Sequence, residues 1–220
     1  MLGDVMPSCV VTEEAFGDVP DVRLFPQEEA VIAKAVDKRR NEFTTARACA
    51  HVALGKLGFP PVPIVPGPRG APQWPDGVVG SITHCAGYRA CAVARADDIV
   101  TIGLDAEPHD TLPDGVLGVI ALESEQERLA GLAAAVPGVS WDRILFCAKE
   151  TVYKAWFPLA GRWLGIEEAD IYIDAANWTF TARLLVDGPM VNGAMLTGFE
   201  GRWLVSDGLI VTAIAVPRGS

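Results

Sequence analysis

The spacing of apolar and polar positions divides the chain into alternating helical and extended segments. Residues 27–57 read as a helix ending at Gly58, ahead of the proline-rich stretch Pro60 to Pro75. Residues 1–25 show no strong period and read as an extended edge. Val78–Thr83 and Arg89–Ala94 alternate as two short strands of a hairpin, and a third strand, Ile99–Leu104, comes after Asp97-Asp98. Pro108 to Gly115 is a turn-rich crossover. Leu122–Ala135 and Trp141–Leu159 read as helices separated by Pro137-Gly138, the first opened by Ser124 as its cap. Residues 169–186 and Arg202–Val216 return to strand, with a hairpin turn at Asp207-Gly208. Helix followed by a three-stranded meander therefore occurs twice, once on each side of Asp105. Identity between the halves is negligible, so the repeat is one of pattern.

Composition narrows the class. About half of the 220 residues are apolar, enough for a full core without staples. No apolar run approaches the roughly 20 residues of a membrane span, and no basic region followed by an apolar one opens the chain, so a cytoplasmic protein is expected. The five cysteines, Cys9, Cys49, Cys85, Cys91 and Cys147, include no Cys-x-x-Cys pair, which argues against a disulfide framework or a zinc site. A formal charge of −10 argues against nucleic acid as partner. Positive groups are instead concentrated locally: Lys34, Lys38, Arg39, Arg40, Arg47 and Lys56 in one helical region, then Arg69. A solvated helix face accounts for Lys34, Lys38 and Arg39 as well as a binding role does.

Two short stretches carry the candidate chemistry. In Ile99 to Glu107 the period of two places Asp105 and Glu107 on one face at the end of a strand. In Phe146 to Trp156 the helical spacing aligns Glu150 with Lys154 and Lys149 with Tyr153. Three carboxylates without a His or Cys partner make a hard oxygen site suited to Mg²⁺ or Mn²⁺, and adjacent lysines suit the phosphate oxygens such a metal shares. The combination points to phosphoryl-group chemistry. Blander readings compete with each residue. Asp105 also fits a helix cap or surface turn, Glu107 a surface acid before Pro108, His84 a structural histidine at a strand end. Glu150 also fits an exposed partner of Lys154, worth only about 0.3 to 0.5 kcal/mol.

Gly103-Leu104-Asp105-Ala106-Glu107, then Phe146-Cys147-Ala148-Lys149-Glu150 and Lys154, preceded by Gly80-Ser81-Ile82-Thr83-His84, resembles the larger single-chain 4′-phosphopantetheinyl transferases, closest to the bacterial branch serving siderophore, polyketide or lipid synthases. The ordered motifs run from about Arg39 to Lys154. The resemblance implies an α+β pseudo-dimer of two similar helix-plus-antiparallel-sheet halves, here divided as 1–104 and 105–220, with the site in the cleft between them. It implies coenzyme A as donor, Mg²⁺ (or Mn²⁺) held by Asp105, Glu107 and Glu150, and Glu150 as the base toward a carrier serine. Lys154 would stabilise the leaving phosphate and Lys149 another oxygen. Arg47 and Arg69, with Lys56, Ser81 and His84, would contact coenzyme A, the two arginines at its 3′-phosphate and adenine side. A monomer is implied, with acyl or peptidyl carrier proteins docking near Leu112, Val116 and Leu117. A non-catalytic coenzyme A binder and a metal-dependent diphosphate hydrolase are the alternatives. The aromatic residues Trp141, Phe146, Trp156, Phe157 and Trp163 read mostly as core, and Val216–Ser220 resembles a protease-site remnant.

Overall fold

The structure is a computed structural model and describes residues 1–219. The N-terminal half contains α1 (Leu2–Val5), the edge strand β1 (Val11–Phe16), α2 (Pro26–Val31), α3 (Asp37–Lys56) and the hairpin β2 (Val78–Cys85) and β3 (Tyr88–Arg95). Its antiparallel sheet has the order β1-β3-β2. The C-terminal half begins at β4 (Ile99–Pro108) and continues through α4 (Val116–Ile120), α5 (Glu123–Ala135), α6 (Trp141–Ala160), β5 (Ala169–Asp174) and β6 (Thr179–Leu184). The small hairpin β7 (Met190–Val191) and β8 (Ala194–Met195) precedes β9 (Gly198–Ser206) and β10 (Leu209–Pro217). The second sheet has the order β4-β10-β9-β6-β5.

The two-part α+β plan agrees with the sequence reading, with four corrections. The division falls in the turn at Asp98, because β4 pairs with β10 from Ile99 onward and so lies wholly in the C-terminal sheet. The second half carries four long strands after its helix rather than three. The helix expected over 27–57 is broken: Arg40 pairs with Glu29 and donates to the Ile32 carbonyl (3.0 Å), closing α2 before α3 starts. At the start of α5 the cap is Glu125, whose Oε2 accepts the Leu122 N–H at 2.8 Å, and not Ser124. The hairpin at Asp207-Gly208 is as expected, both residues having positive φ (52° and 73°). In the terminal segment Val216 and Pro217 complete β10 and Arg218 N–H donates to the Asp98 carbonyl; Ser220 lies outside the described residues.

Three apolar clusters hold the halves. One packs α3 on β2 and β3 through Leu54, Ile64, Cys91 and Val93; another packs α6 on the C-terminal sheet through Ile144, Trp156, Phe180 and Ile214. The third, with Leu2, Tyr88, Leu104 and Val211, joins α1, β3, β4 and β10 and makes the halves one body. Side-chain chemistry repeats where sequence identity does not. Glu28, fully buried, accepts the Phe25 N–H (3.0 Å), the Ile64 N–H (2.8 Å) and His51 Nε2 (2.9 Å). Glu125, also buried, accepts the Leu122 N–H (2.8 Å), the Ile171 N–H (2.7 Å) and Lys149 Nζ (2.9 Å). In each half one carboxylate thus caps the helix that carries it, anchors the chain that follows the long helix and pairs with a basic side chain of that long helix. A buried carboxylate is tolerated because all its partners are present.

Strand β4 runs antiparallel to α6, and the pairing sets the positions of the acidic residues on both. Thr101 Oγ1 donates to the Ala155 carbonyl (2.8 Å), Asp105 meets Lys154, and Glu107 meets Arg143, so alternate residues of β4 step down the helix. Gly103 is the closest approach: a Cβ there would lie 2.2 Å from the Thr151 carbonyl oxygen.

Candidate active site

A cleft of about 690 Å³ opens between the halves. One wall is the loop Gly67–Trp74 with Val78–Ile82; the other is β4 near Val100–Ile102 with Glu150, Tyr153, Lys154 and Phe157 of α6. The loop is shaped by its backbone. Arg69 sits at a φ of 57°, Gln73 N–H donates to the Val65 carbonyl, and Trp74 Nε1 donates to the Gly80 carbonyl at 3.0 Å. Gly80 is required beneath that indole, since a Cβ would come within 2.8 Å of the ring. Arg69 reaches the cleft as the sequence suggests, its guanidinium 5.7 Å from the ring of Trp163 across the opening. Trp163 itself is 56% exposed and stacks at 4.7 Å on Tyr153, so it belongs to the mouth of the cleft and not to the core.

Behind the cleft-lining Lys154, Asp105 is buried. Its Oδ1 accepts Lys154 Nζ (2.7 Å) and the Thr83 hydroxyl (3.0 Å), while its Oδ2 is buried without a partner. Burial opposes the charge on Lys154, but the Asp105 carboxylate outweighs it and holds the ammonium above its usual range. Lys154 also donates to the Leu104 carbonyl at 3.0 Å. It is thus the partner of Asp105 and not of Glu150, which removes the exposed-pair reading of Glu150. The Glu150 carboxylate makes no hydrogen bond or ion pair among the described residues. Burial, and then the charge of Asp105, push its proton affinity up. Glu107 is pushed up by the same two causes in the same order, although Arg143 Nη1 lies 3.1 Å from its Oε2.

Whether these carboxylates suit a divalent cation is decided by what they lack. No three His, Cys, Asp or Glu side chains among the described residues are gathered tightly enough to enclose a metal by themselves. Lys154 and Arg143 each hold one oxygen of the set, so Asp105, Glu107 and Glu150 do not close a metal site by protein atoms alone. The orphaned, buried Oδ2 of Asp105, near two half-buried acids whose proton affinity is raised by burial and then by Asp105, nonetheless leaves oxygen donors with spare capacity. That donor set fits Mg²⁺, which is usually held by one or two carboxylates and completed by water and substrate phosphate oxygens.

Several predicted contacts lie elsewhere. Lys149 turns away from the cleft: its ammonium pairs with Glu125 and donates to the carbonyls of Ile166 (2.8 Å) and Ala169 (3.0 Å), fixing the chain after α6. Its neighbour Glu150 faces the cleft because adjacent helical residues point about 100° apart. Lys56 is at the far end of α3, paired with Glu13 of β1 at 2.5 Å. Arg47 is buried, its Nε donating to the Ile64 carbonyl (2.5 Å) and its guanidinium lying over Phe43; burial pulls it down to about 10. It does not line the cleft. Ser81 lines it, but its hydroxyl accepts the Leu104 N–H at 3.1 Å. Leu112 is buried, because its N–H donates to Asp142 and Arg143 holds the carbonyls of Asp110 and Thr111, drawing the crossover onto α6. Val116 and Leu117 are half-buried, and the exposed apolar residue of α4 is Val119.

The sequence reading undervalued two arginines. Arg39 Nη1 lies 2.9 Å from His84 Nε2, and His84 Nδ1 is 3.9 Å from Glu42. Burial, and then Arg39, lower the proton affinity of His84, so the neutral ring presents a lone pair to the guanidinium. Arg39 and Arg47 share α3 but are eight residues apart, about 80° around the helix, so helical spacing gave no signal that Arg39 meets His84. Arg143 is seven before Glu150, two turns apart.

A profile of the 4′-phosphopantetheinyl transferase N-terminal domain matches residues 27–94, and one of the 4′-phosphopantetheinyl transferase superfamily matches residues 101–190. The chain is 59% identical over 225 residues to a 4′-phosphopantetheinyl transferase of Streptomyces mobaraensis, covering 100% of this chain and 92% of the relative. It is 49% identical to one from Mycobacterium tuberculosis, covering 98% of both chains. Enterobactin synthase component D of Salmonella typhi is 32% identical over 119 residues, 54% of this chain and 49% of that protein.

Proposed function

The chain belongs to the 4′-phosphopantetheinyl transferase superfamily, and from that premise we propose that its cleft passes the 4′-phosphopantetheine arm of coenzyme A to a serine of an apo acyl or peptidyl carrier protein. The observation that carries the reading is the free, cleft-facing Glu150 beside Asp105, with Lys154 at the same point. The serine oxygen forms a bond to the pantetheine-linked phosphorus, and the bond from that phosphorus to the leaving phosphate oxygen breaks, releasing adenosine 3′,5′-bisphosphate. The serine proton goes to Glu150, whose proton affinity is raised by burial and then by the charge of Asp105, the direction that favours a base. Asp105 through Oδ2, Glu107 and Glu150 would hold Mg²⁺, which when bound supplies Lewis-acid stabilisation of diphosphate oxygens. Lys154 adds a fixed positive charge at the cleft floor, and the two walls hold donor and acceptor in line.

The Arg39 guanidinium, held at the neutral ring of His84, is assigned to the coenzyme A 3′-phosphate, with Arg69 on the loop that lines the cleft. Arg39→Ala is expected to weaken coenzyme A by about 1.5 to 3 kcal/mol, the worth of a charge-assisted hydrogen bond, and to leave dephospho-coenzyme A nearly unaffected. Calorimetric titration of both ligands checks this; equal losses would assign Arg39 elsewhere. Carrier docking is placed on α4 around Val119, beside the crossover that Arg143 pins. Siderophore, polyketide or lipid synthases are the class of partner, a cytoplasmic setting and a monomer complete the reading, and among the described residues no helix is long and apolar enough to cross a membrane. Transfer to an apo carrier protein tests the whole: EDTA should abolish it and Mg²⁺ or Mn²⁺ restore it, whereas full activity in EDTA contradicts the carboxylate site.

A further inference from the structure

Strands β2 and β4 lie side by side but belong to different sheets. One edge of β4 is laddered to β10, and the opposite edge would leave buried N–H groups unsatisfied, a costly state. Two hydroxyls from β2 take them: Ser81 Oγ accepts the Leu104 N–H and Thr83 Oγ1 accepts the Ala106 N–H, both at 3.1 Å. Ser81 and Thr83 are two apart on a strand and so share a face, which makes side chains replace the missing backbone ladder across the seam between the halves. Asp105 lies between the two rungs.

Thr83 has a second task that Ser81 lacks. A hydroxyl has one proton to donate and two lone pairs to receive with. Thr83 Oγ1 receives the Ala106 N–H and faces Lys154 Nζ at 3.5 Å, so its single proton goes to Asp105 Oδ1 at 3.0 Å. With Lys154 on the same oxygen, Oδ1 is fully engaged, and Oδ2 is buried without a hydrogen-bond partner, the neutral Cys147 thiol lying close to the carboxylate. We propose that Thr83 is a positioning residue of the C-terminal half's metal site, contributed by the N-terminal half: its hydroxyl fixes the Asp105 carboxylate so that Oδ2 is the oxygen free for a divalent cation. The inference rests on the reading of Asp105 as a metal ligand.

Outer partners of metal ligands are worth about 10- to 100-fold in metal affinity. Thr83→Val keeps the shape and removes the hydroxyl; Thr83→Ser keeps the hydroxyl. Mn²⁺ titrations followed by electron paramagnetic resonance, on the full chain with coenzyme A present, compare these with wild type and Asp105→Asn, each checked for a wild-type-like unfolding transition. Thr83→Val should bind Mn²⁺ about 10- to 100-fold more weakly, Thr83→Ser within about threefold of wild type, and Asp105→Asn most weakly of all. Should Thr83→Val fail to fold, Thr83→Ala carries the same expectation. A hydroxyl-free variant that binds Mn²⁺ like wild type, while Asp105→Asn does not, overturns the role of Thr83 and leaves the metal site standing. Wild-type binding by Asp105→Asn overturns the metal site and this inference with it.

Discussion

Glu150→Gln is expected to slow transfer by about 10² to 10⁴, the usual contribution of a general base, while coenzyme A still binds. The substitution keeps the shape of the side chain and removes its basicity. In the structure Glu150 has no protein partner to lose, since Lys154 is committed to Asp105 Oδ1 at 2.7 Å, so a fall in stability cannot account for the loss. Single-turnover transfer at saturating Mg²⁺ and coenzyme A separates the chemical step from binding and release. A rate within about threefold of wild type would remove Glu150 from the mechanism.

Gly103→Ala should be among the most destabilising single changes in the chain. The added methyl would meet the Thr151 carbonyl oxygen at 2.2 Å and the Ala155 backbone nitrogen at 3.1 Å, and these are backbone atoms of α6 that yield only if the helix moves. Overpacking costs about 1 to 3 kcal/mol and occasionally more, and contact with helix backbone places this site at the upper end, roughly 3 kcal/mol. For a chain of this size that corresponds to a fall in Tm of roughly 6 to 12 °C. Gly131→Ala is the control: it lies in α5 with nothing within 4 Å of a new Cβ, and it should stabilise by up to about 1 kcal/mol. Thermal unfolding of the two variants measures both. A Gly103→Ala melting temperature equal to wild type would contradict the close packing of β4 on α6, and with it the distances that bring Asp105 to Lys154.

That packing shows where sequence reading succeeds. Alternation along Ile99 to Glu107 is a local property of a strand, and it places Asp105 and Glu107 on the face that meets α6. Glu150 and Lys154, one turn apart, likewise share the cleft side of their helix. Arg69 was legible from the glycines and prolines around it. The misplaced residues required knowing which element packs on which. Lys149 has the same charge as Lys154 and lies five residues before it on the same helix, but the rotation between them points it at Glu125, a residue 24 positions earlier whose burial no local pattern announces. Lys56 and Arg47 share a helix with Arg39, yet the three ends meet β1, the Ile64 carbonyl and His84 respectively. The break between α2 and α3 depends on Arg40 reaching back to Ile32, and the burial of Leu112 depends on Asp142 and Arg143. Each is a long-range side-chain contact, set by tertiary packing and not by periodicity.

The cleft is expected to transfer an intact arm, and not merely to bind or hydrolyse coenzyme A. Intact mass spectrometry of an apo carrier protein, incubated with this protein, coenzyme A and Mg²⁺, tests it most directly. The carrier is expected to gain the mass of one 4′-phosphopantetheine group on its serine, with adenosine 3′,5′-bisphosphate released in equal amount. A carrier of unchanged mass, with coenzyme A either intact or cleaved by water, would contradict it.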